Sequence, residues 1–181
     1  MKTILKTING ATDDIATDGI PSLNFTLNEQ PLHEMCALQL KPIVDGRGEL
    51  TELWSAPWMD AKGLVNPIHI YQSATDYGVV KAWHLHRQHT DQFAITRGKI
   101  QVVCADARQK SPTFRQYFSV IAGSHNPLLL KIPPGILHGW KALSVPEAIV
   151  VNLQSHAYDP ADEIRLPWDC ILQNVWEPIF R

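Results

Sequence analysis

Apolar positions in this chain fall in short runs broken by turn residues. No stretch of about 12 residues keeps the i, i+3, i+4, i+7 spacing of a helix face without meeting a Pro or Gly. The runs are rich in Val, Ile and aromatic residues and predict strands at Cys36–Ile43, Gly48–Trp54, Pro67–Gln72, Val79–His86, Gln92–Thr96, Lys99–Ala105, Arg115–Ile121, Leu128–Ile132 and Ala148–Gln154. Between them stand turn signals such as Asp45-Gly46, Arg97-Gly98-Lys99 and Pro133-Pro134-Gly135. Many short, evenly spaced strands imply an all-β sandwich or barrel. Residues 1–30 are polar and turn-rich and read as an N-terminal arm, and residues 31–181 read as one domain. The tail after Pro167 carries Trp168, Trp176, Ile179 and Phe180 and is too apolar to stay free, so it is expected to dock on the barrel.

A length of 181 residues with 45% hydrophobic composition supports one sizeable core rather than two domains. The net charge of −2 and the lack of a Lys/Arg run argue against a nucleic-acid partner. Met1 to Asn9 lacks the continuous apolar core of a signal peptide, and no run approaches a membrane span. Cys36, Cys104 and Cys170 are odd in number and far apart, which fits a reduced cytoplasm better than a disulfide framework. Cys104, in an apolar strand, reads as a small buried hydrophobe.

The densest chemistry runs from Gly78 through His84-Leu85-His86 and Asp91 to Gly98. On a strand, His84 and His86 share one face while Trp83 and Leu85 take the other. The spacing is similar to the first cupin motif, with Asp91 where that pattern has Glu, and Pro133-Pro134-Gly135-Ile136-Leu137-His138 is similar to the second. A cupin, or jelly-roll β-barrel, is therefore the expected fold. In many cupins such positions hold a metal, and three His with a carboxylate suit iron, nickel, manganese or zinc. A metal-dependent oxygenase or isomerase built on His84, His86, Asp91 and His138 is one reading.

Five patches in order carry a more specific likeness. They are Asp45-Gly46-Arg47-Gly48-Glu49-Leu50-Thr51-Glu52, Gly78-Val79-Val80-Lys81-Ala82-Trp83-His84, Asp106 to Phe114 with its Ser111-Pro112-Thr113-Phe114, Ile132 to Gly139, and Tyr158 to Glu163. On these the chain resembles the dTDP-4-dehydrorhamnose 3,5-epimerase family, cupins that work without a metal, so no cofactor is expected. The resemblance implies a nucleotide-linked 4-keto-6-deoxy sugar as substrate. It also implies a homodimer, and a product that enters a surface polysaccharide such as an O-antigen of lipopolysaccharide, or a secondary metabolite. A 4-keto group acidifies the C–H bonds at C3 and C5, so the reaction needs a base, an enolate stabiliser and an acid on the opposite face. By the resemblance His84 is the base, oriented by a carboxylate near the C-terminus for which Asp169 is the candidate. Arg47 and Lys81 would contact the diphosphate, and Glu52 would lie near the nucleotide base.

The likeness breaks where the family keeps two catalytic groups. Its enolate-stabilising Lys falls on Asp91, which cannot donate when ionised, and its general-acid Tyr falls on Asn152, whose amide cannot deliver a proton. His86, His89 and His138 are the remaining donors, and a cationic His paired with Asp91 could stand in for the Lys. With Asn152 in place of Tyr, inversion at C3 alone is expected. The same residues also fit a nucleotide-sugar 3,4-ketoisomerase, which moves the carbonyl instead of inverting a carbon, and a non-catalytic sugar-binding cupin.

Overall fold

In the computed structural model residues 17–177 are described. The strands are β1 (Thr26–Leu27), β2 (Cys36–Gln39), β3 (Ile43–Asp45), β4 (Gly48–Leu50), β5 (His69–Asp76), β6 (Val80–His86) and β7 (Asp91–Arg97). They continue with β8 (Lys99–Asp106), β9 (Gln116–Gly123), β10 (Leu128–Ile132), β11 (Ile136–Ala142), β12 (Glu147–Gln154) and β13 (Glu163–Arg165). A one-turn helix, α1 (Trp58–Lys62), and 3-10 turns at Thr17–Ser22 and Gln173–Trp176 complete the described elements. All nine predicted segments contain strand. The first splits into β2 and β3 because Lys41-Pro42 interrupts it: a proline cannot donate to a ladder.

Two sheets face each other, one ordered β1-β9-β8-β11-β6-β13 and the other β2-β10-β7-β12-β5, while β3 and β4 form a separate hairpin. This is the jelly-roll barrel that the motifs imply. Alternation along the strands sorts the core. Val102 and Cys104 of β8, Phe93 and Ile95 of β7 and Leu130 of β10 join one buried cluster. Their neighbours Val103 and Ala105 pack in a second cluster with Trp83, Leu85, Ile171 and Trp176, and Ala94 and Leu129 pack in a third with Leu40 and Leu64. Both sheets are thus covered on both faces, which is why β8 and β10 read as continuous apolar runs. Burying a side chain such as Leu85 stabilises by about 1.5–3 kcal/mol.

Trp176 packs its ring against that of Trp83, tilted by 50° with centroids 5.2 Å apart, so the tail docks as expected up to that residue. Ile179 and Phe180 lie outside the described residues. So does most of the expected N-terminal arm, although Ile20 is buried in the cluster around Trp83. Cys104 is fully buried, and burial pushes its thiol far up from the ordinary range. No described helix is long and apolar enough to cross a membrane.

Strand β11 was not foreseen, because it follows Pro133-Pro134-Gly135 at once and carries Gly139. It runs between β6 and β8 and pairs His138 with His84. The register then slips, with Trp140 opposite Lys81, so β6 carries an extra residue between Lys81 and His84. A Cβ at Gly139 would collide with Ala82, so only glycine lets the two backbones approach at this bulge.

Candidate active site

One end of the barrel is packed by the apolar cluster, and the other opens as a cavity of about 390 Å³ lined by residues of both sheets, several of them titratable. Strand β6 supplies His84 and His86, and the bulge swings Lys81 onto the same side, where its ammonium donates to Ser73 Oγ at 2.9 Å and to the Ala74 carbonyl at 2.8 Å. Trp83 and Leu85 point the other way into the core, as alternation requires.

His84 Nδ1 lies 2.7 Å from Glu163 Oε1. Strand β13 pairs antiparallel with β6 and sets Glu163 opposite His86, from where it reaches diagonally to His84. The carboxylate acceptor fixes the proton on Nδ1 and leaves Nε2 as the nitrogen able to accept one. Burial, and then the neighbouring His138, lower the affinity of His84 for a proton, while Glu163 acts against them, so at neutral pH the ring is a free base. Burial would raise the Glu163 carboxyl, but Arg165 at 2.7 Å and His84 outweigh it and keep it ionised.

Asp91 opens β7 and is 1% exposed. Its Oδ2 lies 3.1 Å from His138 Nε2 and 3.3 Å from His86 Nε2. Its Oδ1 accepts from Asn152 Nδ2 at 2.7 Å and Gln154 Nε2 at 2.8 Å, with His89 Nε2 at 3.5 Å. Burial alone would raise this carboxyl, but the bonds from His138, His86 and His89 hold it well below the usual range. Both nitrogens of His138 face acceptors, Asp91 at 3.1 Å and the Ile136 carbonyl at 3.0 Å. His89 bridges Asp91 and Asp162 in the same way, and the two carboxylates outweigh burial and raise its affinity for a proton.

The structure therefore brings together His84, His86, His138, Lys81, Asp91 and Asn152. It does not bring in Asp169, which is exposed in a turn, while the carboxylate on His84 is Glu163. Glu163 belongs to the Tyr158 to Glu163 motif but stands 79 residues from His84, and only the pairing of β13 with β6 joins them. Arg47 and Glu52 are exposed and outside the cavity, with Arg47 held by Asp45 at the tip of the β3–β4 hairpin. Tyr71 of β5 was also missed. It lines the cavity, and its hydroxyl accepts from Asn152 Nδ2 at 3.0 Å.

Ligand atoms of His86, Asp91 and His138 lie within 4.8 Å of one another, as do those of His86, His89 and Asp162, so either set could hold a metal ion. His86 Nδ1 is buried and has no hydrogen-bond partner among the described residues, which leaves it available as a ligand.

A jelly-roll barrel with paired histidines on one strand, a third on the next, and a carboxylate anchoring them defines a cupin. The family model for dTDP-4-dehydrorhamnose 3,5-epimerase matches residues 29–180. The chain is 33% identical over 141 residues to the probable low-salt glycan biosynthesis epimerase Agl13 of Haloferax volcanii, covering 76% of this chain and 89% of that protein. The dTDP sugar isomerase of Desulfovibrio desulfuricans superposes with a TM-score of 0.72 at 30% identity, covering 77% of this chain and 87% of that one. The dTDP-6-deoxy-D-glucose-3,5-epimerase of Legionella pneumophila, solved in complex with dTDP-4-keto-L-rhamnose, superposes with a TM-score of 0.70 at 25% identity, covering 80% of this chain and 77% of that one. The chain belongs to the dTDP-4-dehydrorhamnose 3,5-epimerase family and is an isomerase, a sugar-nucleotide epimerase.

Proposed function

We propose that the protein inverts a nucleotide-linked 4-keto-6-deoxyhexose at C3 alone, with His84 as the base. The observation that carries this reading is the 2.7 Å contact between His84 Nδ1 and Glu163, which leaves a neutral Nε2 to take the C3 proton. The electrons of the C3–H bond pass into an enolate at C4. The histidines paired with Asp91, His86, His89 and His138, serve the enolate in place of the Lys that the family keeps at the position of Asp91. Lys81 on the cavity wall serves the diphosphate. A single base on one sheet, with Asn152 where the family has its Tyr, supports inversion at one centre. The names of the relatives support a role in glycan biosynthesis.

Arg47 and Glu52 reach a substrate only if another copy presents its β3–β4 hairpin. The exposed Ile43, Val44 and Leu50 on that hairpin, and Ile68 and Ile70 beside and on the edge strand β5, support a homodimer in which this happens. Sedimentation at micromolar concentration tests the dimer, and a monomer would remove Arg47 and Glu52 from the site.

The reaction is tested by proton NMR in heavy water with dTDP-4-keto-6-deoxyglucose. Exchange and inversion confined to C3 are expected, inversion at both C3 and C5 overturns the single-centre reading, and a 3-keto product identifies a ketoisomerase. The histidine cluster around Asp91 favours one second reading, a metal-dependent cupin. Activity lost to a chelator and restored by one divalent metal would establish it.

A further inference from the structure

The reaction proposed above lacks an acid, since Asn152 stands where the family has one. The cavity has two walls: β6 of one sheet presents His84, and β5 of the facing sheet presents Tyr71. Tyr71 and Asn152 are direct partners across the β5–β12 ladder, so their side chains leave the sheet on the same face. That register sets the Tyr71 hydroxyl 3.0 Å from Asn152 Nδ2, while the same amide nitrogen holds Asp91 at 2.7 Å. A phenol from the neighbouring strand thus ends at the tip of Asn152. Resting on the epimerase reading, we propose that Tyr71 is the general acid, delivering its phenolic proton to C3 on the sugar face opposite His84.

The other groups on the cavity are committed elsewhere. His86 and His89 direct Nε2 at Asp91, and Lys81 donates across to Ser73 and the Ala74 carbonyl on β5 of the facing sheet. His69 directs Nδ1 at Gln154 Oε1, 3.1 Å away. Tyr158, the other phenol on the lining, stands in a loop and is 58% exposed. Tyr71 is 40% exposed, open enough to meet a sugar. Burial raises its phenol above the ordinary range against the opposing pull of the Asn152 bond, so it carries its proton at neutral pH.

The step balances. His84 Nε2 takes the C3 proton, and the C–H electrons form the enolate. As the C4 carbonyl re-forms, C3 takes the Tyr71 proton from the other side. The phenolate left behind accepts the Asn152 N–H, then regains a proton from solvent while the His84 imidazolium releases one.

The test separates removal of the C3 proton from its return. In heavy water, Tyr71→Phe is expected to keep deuterium exchange at C3 with retained configuration, because His84 can return a solvent deuteron to the face it came from. Epimer formation should fall by about 100-fold or more, and by far less in Tyr158→Phe. Epimer formation within about threefold of wild type in Tyr71→Phe, or its loss in Tyr158→Phe, overturns the proposal. A Tyr71→Phe protein that loses exchange as well, at an unchanged melting temperature, also overturns it. Replacing Tyr71 by 3-fluorotyrosine, a stronger acid of nearly the same shape, should move the alkaline limb of epimer formation to lower pH and leave that of exchange in place; an unmoved limb overturns it. A wild type that neither exchanges nor inverts at C3 overturns the epimerase reading itself, a result distinct from each of these.

Discussion

Two buried aspartates show how differently this barrel uses the same side chain. Asp106, at the end of β8, is 0% exposed. It accepts from Arg108 Nε at 3.0 Å and Nη2 at 2.9 Å, from Ser111 Oγ at 2.5 Å and from Thr113 Oγ1 at 2.7 Å. Among the described residues every side-chain donor to it lies within seven residues, Arg108 reaches beyond this cluster to Glu34 and the His33 carbonyl, and neither Asp106 nor Arg108 lines the cavity. Asp91 is as deeply buried, but its donors come from β6, β11, β12 and the turn after β6, up to 63 residues away, and most are histidines that can change charge. In both cases burial alone would raise the carboxyl and the donors outweigh it, so both are ionised at neutral pH. One cluster, closed by a permanent cation, pins the β8–β9 connection. The other, closed by titratable rings and open to a cavity, is suited to moving protons. A strict local motif therefore marks architecture here, and the candidate site collects where strands distant in sequence meet.

The largest effect that would break this contrast concerns His84. His84→Ala should lower C3 exchange by about 100-fold to 10,000-fold, as expected for loss of a general base, with little change in stability. Asp106→Ala should do the reverse. It leaves the Arg108 guanidinium buried and short of its partner, so urea denaturation should show a loss of about 3–5 kcal/mol while exchange per folded molecule stays near wild type. If Asp106→Ala lost exchange at full stability, the architectural reading of the Ser111-Pro112-Thr113 motif would fail.

Glu163→Gln sharpens the chemical half. Glu163 raises the proton affinity of His84 against burial and His138, so its loss weakens the base, and exchange should fall by about tenfold or more for each pKa unit lost. The pH profile gives the sign. The wild-type rate needs neutral His84 and should fall as pH drops through a value below that of an ordinary imidazole, and in Glu163→Gln that acidic limb should move lower still. A limb that stays put would show that Glu163 does not control the base. Asp169→Ala should have the smallest effect, within about 0.5 kcal/mol in stability and without change in exchange, since that carboxylate is exposed in a turn.

Short alternating runs and turn residues were enough to declare an all-β barrel, because strand pairing on a two-sided core needs that pattern whatever the partners are. The same local rule put His84 and His86 on one face and Trp83 with Leu85 on the other, and the motif spacing picked out His138 and Asp91. Pairing decided the rest. The β13–β6 register gave His84 its carboxylate in Glu163 rather than Asp169. A bulge that no composition announces turned Lys81 toward the cavity, and the β5–β12 register carried Tyr71 to Asn152. Each depends on which residue of one strand stands opposite which residue of another. A slip of one position reverses the face of every side chain, so such contacts exist only once the sheets have assembled.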